Sequence, residues 1–455
     1  MKIAIIGSGI SGLVAAYHLH GEHDVTVFEA NNYIGGHTNT ASAILDGTQY
    51  AVDTGFIVFN DWTYPNFIAL LDDLQVKSQA TEMSFSVRDE VSGVEYNGHS
   101  LNTLFAQRKN LFRPKFYRMV WDILRFNRQA KSFNVESSQG DDRLDATVGE
   151  FLDRNNYSVQ FRKQYLLPMG AAIWSCATGT FAEFPIRFVI DFYRNHGLLN
   201  IGNRPTWRVI AGGSTTYVNA LTKGFINRIR LNSPVASVAR SSNGVVVSTV
   251  GAKETFDHVV FACHSDQALS ILGADATETE TSVLSAFPYT KNSVVLHTDE
   301  SLLPKSRLTW ASWNYLVGEQ ENSSATVTYN MNILQQIDSP KTFCVTLNGE
   351  SKISPDRILS KYEYSHPVFT VDRAAAQRRH HELININNTS FCGAYWGNGF
   401  HEDGVVSALA VANQLNALNL KGGSNANVVA SQESLETVAE STDDTVDLPF
   451  QGTKP

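Results

Sequence analysis

Cysteine is scarce: Cys176, Cys263, Cys344 and Cys392 are the four in a chain of 455 residues. They lie far apart, with no C-x-x-C and no metal-type spacing, so neither a disulfide framework nor a metal site is expected. Charge is scarce too, at 18% of residues against a usual ~25%. Lys+Arg 36 against Asp+Glu 45 leaves a net charge of −9. The positive footprint that a phosphate backbone requires is missing, which argues against nucleic acid as a partner. No apolar run approaches the ~18 residues of a membrane-spanning helix. The chain opens on a strand-like run with no basic n-region, so no signal peptide is expected and the predicted compartment is the cytoplasm. With 43% hydrophobic residues the chain is not a disordered one.

What is present begins at residue 2. Lys2-Ile3-Ala4-Ile5-Ile6 is an apolar β-branched run of the kind buried in a parallel sheet. Gly7-Ser8-Gly9-Ile10-Ser11-Gly12 follows, then a helical pattern, then a second strand from Asp24 to Phe28 that ends at Glu29. This is G-x-G-x-x-G between strand and helix, with an acid where a ribose hydroxyl needs an acceptor. Gly7 makes the tight turn, Gly9 admits a pyrophosphate, and Gly12 lets helix and strand pack. The helix N-terminus offers N–H groups and partial positive charge to the phosphates. One dinucleotide site is therefore predicted. No second G-x-G-x-x-G is present, so NAD(P)H is not expected as a direct substrate.

After Glu29 and Ala30 comes Asn31-Asn32-Tyr33-Ile34-Gly35-Gly36-His37-Thr38. This resembles the second half of the FAD signature of the amine-oxidase and phytoene-desaturase superfamily, with His37 where many relatives carry Arg. Val52-Asp53-Thr54-Gly55-Phe56 is similar to that superfamily's turn near the isoalloxazine. Ile210-Ala211-Gly212-Gly213-Ser214 is similar to the segment that re-enters the FAD domain, and Phe391-Cys392-Gly393 followed by Gly399 to Val406 resembles the strand and helix under the flavin. The resemblance implies FAD contacts at Gly7, Gly9, Ile10, Ser11, Gly12, Glu29, Ala30, Gly35, Gly36, His37, Thr38, Gly55, Phe56, Val235, Gly393, Glu402, Asp403, Gly404 and Val405. No segment supplies a Cys or His flavin linkage, so FAD is expected to be held noncovalently.

The resemblance implies an α/β fold: a Rossmann-like (GR2-type) FAD-binding domain with an inserted α+β substrate domain. The FAD-binding pieces are predicted at 1–80, 196–270 and 385–421, and the substrate domain at 81–195 and 271–384. The first insertion reads as helical. The second mixes helices with strands at Asn292–His297 and Ala325–Asn330, and Asn232 to Ser248 reads as a hairpin turning at Asn243-Gly244. Residues 422–455 are polar and read as a disordered tail.

In such flavoproteins the cofactor carries the chemistry, and the protein positions a C–H bond and excludes water. Tyr395, Trp396, His401 and Trp174 are the candidates for touching substrate or flavin; ordinary core packing is the other reading of each. Lys291 is a positional candidate for the lysine that many amine oxidases place near the flavin. The stretch Gln107–Lys131 breaks the acidic trend with Arg108, Lys109, Arg113, Lys115, Arg118, Arg125, Arg128 and Lys131 against Asp122 alone, interleaved with Phe112, Trp121 and Leu124. It reads either as a solvated helix of the substrate domain or as a peripheral contact with an anionic membrane. Four readings stay open: a hydride-removing oxidoreductase acting on a lipid-like (fatty acyl) substrate, an amine oxidase, a redox-neutral FAD-dependent double-bond isomerase and, outside enzymes, a flavin-binding scaffold without turnover. The aromatic content of the insertions suits an apolar tunnel, and likeness to a bacterial amine-oxidase-like group implies fatty-acyl desaturation, which favours the first. The small-molecule or lipid substrate is the expected partner.

Overall fold

The computed structural model describes residues 1–133, 144–242, 244–318, 325–370 and 372–422. Residue 243 of the expected hairpin and the expected tail from 423 to 455 lie outside the described residues. Strand Lys2–Ile6 sits at the centre of a five-stranded sheet in the order Ile229–Arg230, Asp24–Phe28, Lys2–Ile6, His258–Phe261, Thr389–Phe391. Every pair is parallel, with Ile5 opposite both Val27 and Val260. A central parallel strand is covered on both faces, which is why it reads as an unbroken apolar run.

One face carries helices Ile10–Leu19, Thr215–Thr222 and His401–Gly422, whose Leu13, Val14, Tyr217, Leu221, Val411 and Leu415 form one core with Ile3 and Ile5. Each such side chain contributes about 1.5–3 kcal/mol on burial. The other face carries an antiparallel sheet of Val235–Ser241, Gly244–Thr249 and Ala252–Phe256 together with helices Ser265–Leu272 and Glu278–Leu284. The expected hairpin is present, with Val238 opposite Val247.

The insertions build a seven-stranded sheet in the order Ile358–Pro367, Tyr289–His297, Cys344–Leu347, Thr326–Asn330, Trp313–Val317, Phe85–Asp89, Glu95–Asn97. The first insertion is therefore not purely helical. Phe85–Asp89 pairs in parallel with Trp313–Val317, and Ser86 and Val87 are both fully buried. The strand's apolar–polar alternation, Phe85-Ser86-Val87-Arg88, is in the sequence but spans only a short run. Helix Pro114–Ser132 opens with proline at its first turn, where the missing N–H costs nothing. It buries Phe116, Met119, Phe126 and Ala130 at helical spacing. Helix Ile186–Asn195 joins it in an aromatic core with Phe151, Phe161, Phe181 and Phe184. Met1–Asn416 packs as one unit; a second, Ala417–Pro455, is described only through residue 422.

Candidate flavin site

The glycine turn is built by close approach. Gly7 has φ of 107°, and a Cβ on it would meet the Ala262 carbonyl oxygen at 2.8 Å. A Cβ on Gly12 would fall 2.0 Å from the Gly7 carbonyl oxygen. Gly9 differs: a Cβ there meets nothing within 4 Å. The space over the first turn of helix Ile10–Leu19 is open, and the amides of that turn have no partner within the helix. The second glycine motif closes on the first, since a Cβ on Gly36 would lie 3.2 Å from the Gly9 Cα, and Gly35 N–H donates to the Ser8 carbonyl at 3.0 Å.

Glu29, at the end of strand Asp24–Phe28, is 6% exposed. One carboxylate oxygen accepts from the Ser8 amide and hydroxyl at 3.0 and 2.5 Å, the other from the Asn31 amide and side chain at 2.8 and 3.0 Å. Glu29 thus ties the glycine turn to the next loop, and a ribose diol here would share acceptors with Ser8 and Asn31. Ala30 beside it is exposed. Ser233 N–H donates to the Glu29 carbonyl at 2.8 Å, which brings the segment leading into Val235 alongside.

Past Gly36 the chain passes under the start of the last helix. A Cβ on Gly55 would lie 2.2 Å from the His37 carbonyl oxygen, which accepts from Phe56 N–H at 2.8 Å. The Thr38 hydroxyl shares hydrogen bonds with the Tyr217 hydroxyl (2.6 Å) and His401 Nε2 (2.9 Å), and the His401 ring stacks on Phe56 at 3.5 Å. Burial holds the His401 imidazole neutral, well below its ordinary range. Asp53 accepts from the Ser214 amide and hydroxyl at 2.8 and 2.7 Å and from Thr40 at 2.6 Å. Burial still pushes its carboxyl up to about 6. It fastens the re-entering segment to the turn at Gly55.

His37 points its ring into a group of Tyr364 (4.9 Å), His366 (5.4 Å) and His264 (6.2 Å). Burial lowers His37 and His264 to about 4 and His366 to about 3. His37 Nε2 is buried without a partner. A polar atom left so beside two closely set glycine loops, with open space over Gly9, fits a dinucleotide lying across them.

The last helix starts against the first. A Cβ on Gly404 would lie 2.7 Å from the Ile10 side chain and 2.9 Å from the Ser11 hydroxyl, and Val405 is buried. Gly393 N–H donates to the Ser407 hydroxyl at 3.0 Å, pinning the turn after strand Thr389–Phe391. The side chains of the two acids that open the last helix are engaged within the fold. The Glu402 carboxylate accepts from the Asn66 and Phe67 amides at 3.0 and 2.9 Å and from the Asn66 side chain at 2.7 Å, so it caps helix Pro65–Asp73. Asp403 accepts from Phe400 N–H at 2.8 Å and caps its own helix; burial pushes it up to about 6. Both side chains are spent on backbone amides, which leaves their main chain for a cofactor. They also line a cavity of about 280 Å³ with Trp62, Tyr64, His196 and Phe400.

The four residues expected to carry chemistry do not converge. His401 belongs to the Thr38–Tyr217–Phe56 group. Tyr395 and Trp396 pack on Phe287 in the opposite core, with Trp396 stacked on His380 at 4.1 Å. Trp174 lies among Phe181, Phe184, Phe188, Phe192 and Phe369. The aromatic residues expected to line a tunnel largely pack against one another here. Lys291 is exposed and ion-paired with Glu363 at 2.8 Å; strand alternation turned it outward. Sequence reasoning passed over Ser8, Asn31, Tyr217, His264 and His366. A His-Pro inside a strand-like run, at His366-Pro367, was the one local signal among them.

A nucleotide-type parallel sheet, two glycine loops in contact and a second helix N-terminus beside them define a FAD-binding oxidoreductase. The sequence model of the flavin containing amine oxidoreductases matches residues 10–339, and the chain belongs to that family. Its cofactor is FAD. The fold is similar to cyclohexylamine oxidase from Brevibacterium oxydans IH-35A, with TM-score 0.65, 16% identity and coverage of 91% of this chain and 99% of that one. It is equally similar to the CLA-producing fatty acid isomerase from P. acnes, with TM-score 0.64, 15% identity and coverage of 91% and 98%. A 4,4'-diapophytoene desaturase of Staphylococcus aureus (strain Newman) is 52% identical over 40 residues, which span 9% of this chain and only 8% of that protein. Among the described residues no helix is long and apolar enough to cross a membrane.

Proposed function

We propose that this flavoprotein removes a hydride from an apolar, lipid-like substrate, a fatty acyl chain, collected at an anionic membrane surface. The carrying observation is the outer face of helix Pro114–Ser132. Tyr117, Trp121 and Leu124 are exposed at i, i+4 and i+7, and the stripe continues through Leu111 and Phe112, the last 86% exposed. Exposed Arg108, Lys109, Lys115, Arg128 and Lys131 surround it. Asp122, the one acid, is turned inward and paired with Arg118 and Arg125. An apolar stripe rimmed with bases suits the headgroup layer of an anionic bilayer. A solvated core helix would not need a second apolar stripe facing outward beside the one it buries.

Bound FAD supplies the hydride acceptor. The chain's own part is to bind and orient it: the first-turn amides of helix Ile10–Leu19 toward the pyrophosphate, Glu29 toward the ribose, and the N-terminal amides of the last helix toward the pyrimidine. Neutral His37 and His401 would bring no fixed positive charge to a bound flavin. The flavin is held noncovalently in this account. Burial pushes the Cys263 thiol beside the glycine turn up to about 12, so it is a poor nucleophile. The pieces 1–80, 196–270 and 385–421 hold FAD, and 81–195 with 271–384 cover it. The amine reading is disfavoured by the outward, paired Lys291. Comparing fatty-acyl profiles of cells with and without the protein tests the proposal. A shift in unsaturation is expected; an unchanged profile would overturn it.

A further inference from the structure

Arg373, in helix Arg373–Arg378, is 2% exposed. Its Nη2 donates to the carbonyls of Tyr395 and Gly397 at 3.1 and 2.8 Å. Gln377 donates to the same two carbonyls at 2.9 and 2.6 Å. The guanidinium lies over the Phe369 ring at 3.7 Å and faces Phe287 at 5.5 Å. Its Nε and Nη1 are buried with no partner.

Another largely covered guanidinium is treated differently. Arg240 is paired with Asp275 at 2.9 Å and Glu280 at 2.5 Å. Among the described residues Arg373 has no carboxylate in hydrogen-bond contact. Asp403 attracts it only at longer range, and that carboxylate already accepts from the Phe400 amide. Tyr289, the other titratable group facing it, is held protonated by burial. The desolvated cation is itself lowered to about 10. A buried charge whose donors are unmet is strongly unfavourable unless an anion completes it.

We propose that Arg373 anchors a carboxylate on the apolar substrate, received by an unspent N–H group of Nε or of Nη1. Placement supports this. Phe369 joins Arg373 to Phe188 (4.7 Å), Phe184 (5.4 Å) and Trp174 (5.8 Å), an apolar wall for a chain behind the carboxylate. On the other side, Arg373 holds the Tyr395–Gly397 turn that leads into the last helix. The donors are shut from solvent in this conformation, so entry requires Phe369 to turn aside. The inference deepens the lipid reading and rests on it for the chain, but not for the carboxylate.

The test is equilibrium binding to the holoprotein, read by perturbation of the flavin spectrum. The probes are dodecanoate, methyl dodecanoate and benzoate, with wild type, Arg373→Met and Arg373→Lys. The acid is expected to bind about 10- to 100-fold tighter than its ester, the worth of charged hydrogen bonds. Arg373→Met should erase that difference with FAD content unchanged, and Arg373→Lys should restore part of it. Acid and ester binding alike would overturn the anchor while leaving the lipid reading. Benzoate alone binding, dependent on Arg373, would sustain the anchor and overturn the lipid reading. Loss of FAD from both variants, or no binding by either carboxylate, would overturn the anchor.

Discussion

Replacing Gly9 by alanine separates a cofactor role from a folding role, because the two glycines flanking it behave oppositely. Gly9 has φ −68° and ψ 178°, a conformation open to any residue. An added methyl meets no protein atom within 4 Å. The FAD-free variant should therefore be as stable as wild type, or more so by about 0.4–1 kcal/mol from a less flexible unfolded chain. The same methyl enters the space over the helix N-terminus, where the pyrophosphate would lie. Overpacking of that order, about 1–3 kcal/mol, corresponds to roughly 5- to 150-fold weaker FAD binding. Gly12→Ala is the control. Its methyl would lie 2.0 Å from the Gly7 carbonyl oxygen, so stability and FAD affinity should fall together. Urea unfolding of FAD-stripped protein and titration with FAD measure the two quantities. If Gly9→Ala binds FAD as tightly as wild type, the pyrophosphate does not lie there and the reasoning fails.

Other outcomes follow from the same geometry. Glu29→Ala should weaken FAD binding by about 1–3 kcal/mol, and it should also loosen the Ser8 turn that the carboxylate holds; unchanged affinity would mean the ribose is bound elsewhere. His37, His264 and His366 are neutral in the fold and must gain protons in acid. Their folded pKa values are depressed, so their contribution is present above about 6.5 and is lost as pH falls toward 4, of order 3 kcal/mol for each if independent. A urea midpoint that stays flat over that window, or a slope that His366→Asn does not reduce, would contradict this. Sedimentation with anionic vesicles should weaken with salt, with Phe112→Ala, and by about 1 kcal/mol for each of Lys109, Lys115 and Arg128 neutralised. These three avoid Arg118, whose loss would disturb buried Asp122. Vesicle binding that ignores all of these changes would remove the membrane contact. Anaerobic NADH or NADPH should leave the flavin oxidised, and rapid bleaching would reveal a second nucleotide site.

Much of the fold was legible because its signals are local. Lys2–Ile6, the Gly7–Gly12 turn and Glu29 fall within one βαβ stretch, where strand run, glycine spacing and acid reinforce one another. The unread parts depend on contacts far apart in sequence. Glu402 opens the last helix, and nothing near it in sequence shows that its carboxylate caps the distant helix at Asn66 and Phe67. Lys291 matched by position along the chain, but strand alternation turned it to solvent. Phe85–Asp89 does alternate, Phe85-Ser86-Val87-Arg88, but the run is short and its pairing partner, Trp313–Val317, lies far along the chain. His37, His264 and His366 come from three separate stretches, and no spacing links them. Arg373 was unremarkable in sequence, because an arginine's partners, or its lack of them, are set by the fold around it.

What reduces the flavin decides between a lipid-like substrate and an amine. Oxidised holoprotein would be mixed anaerobically with fatty acyl lipids presented in anionic vesicles and, separately, with primary and secondary amines, while the oxidised-flavin absorbance is followed. The account predicts that an acyl lipid bleaches the flavin and leaves a newly unsaturated or oxidised chain, with amines inert. Rapid bleaching by an amine, with every acyl lipid leaving the flavin oxidised and its own chain unchanged, would contradict it.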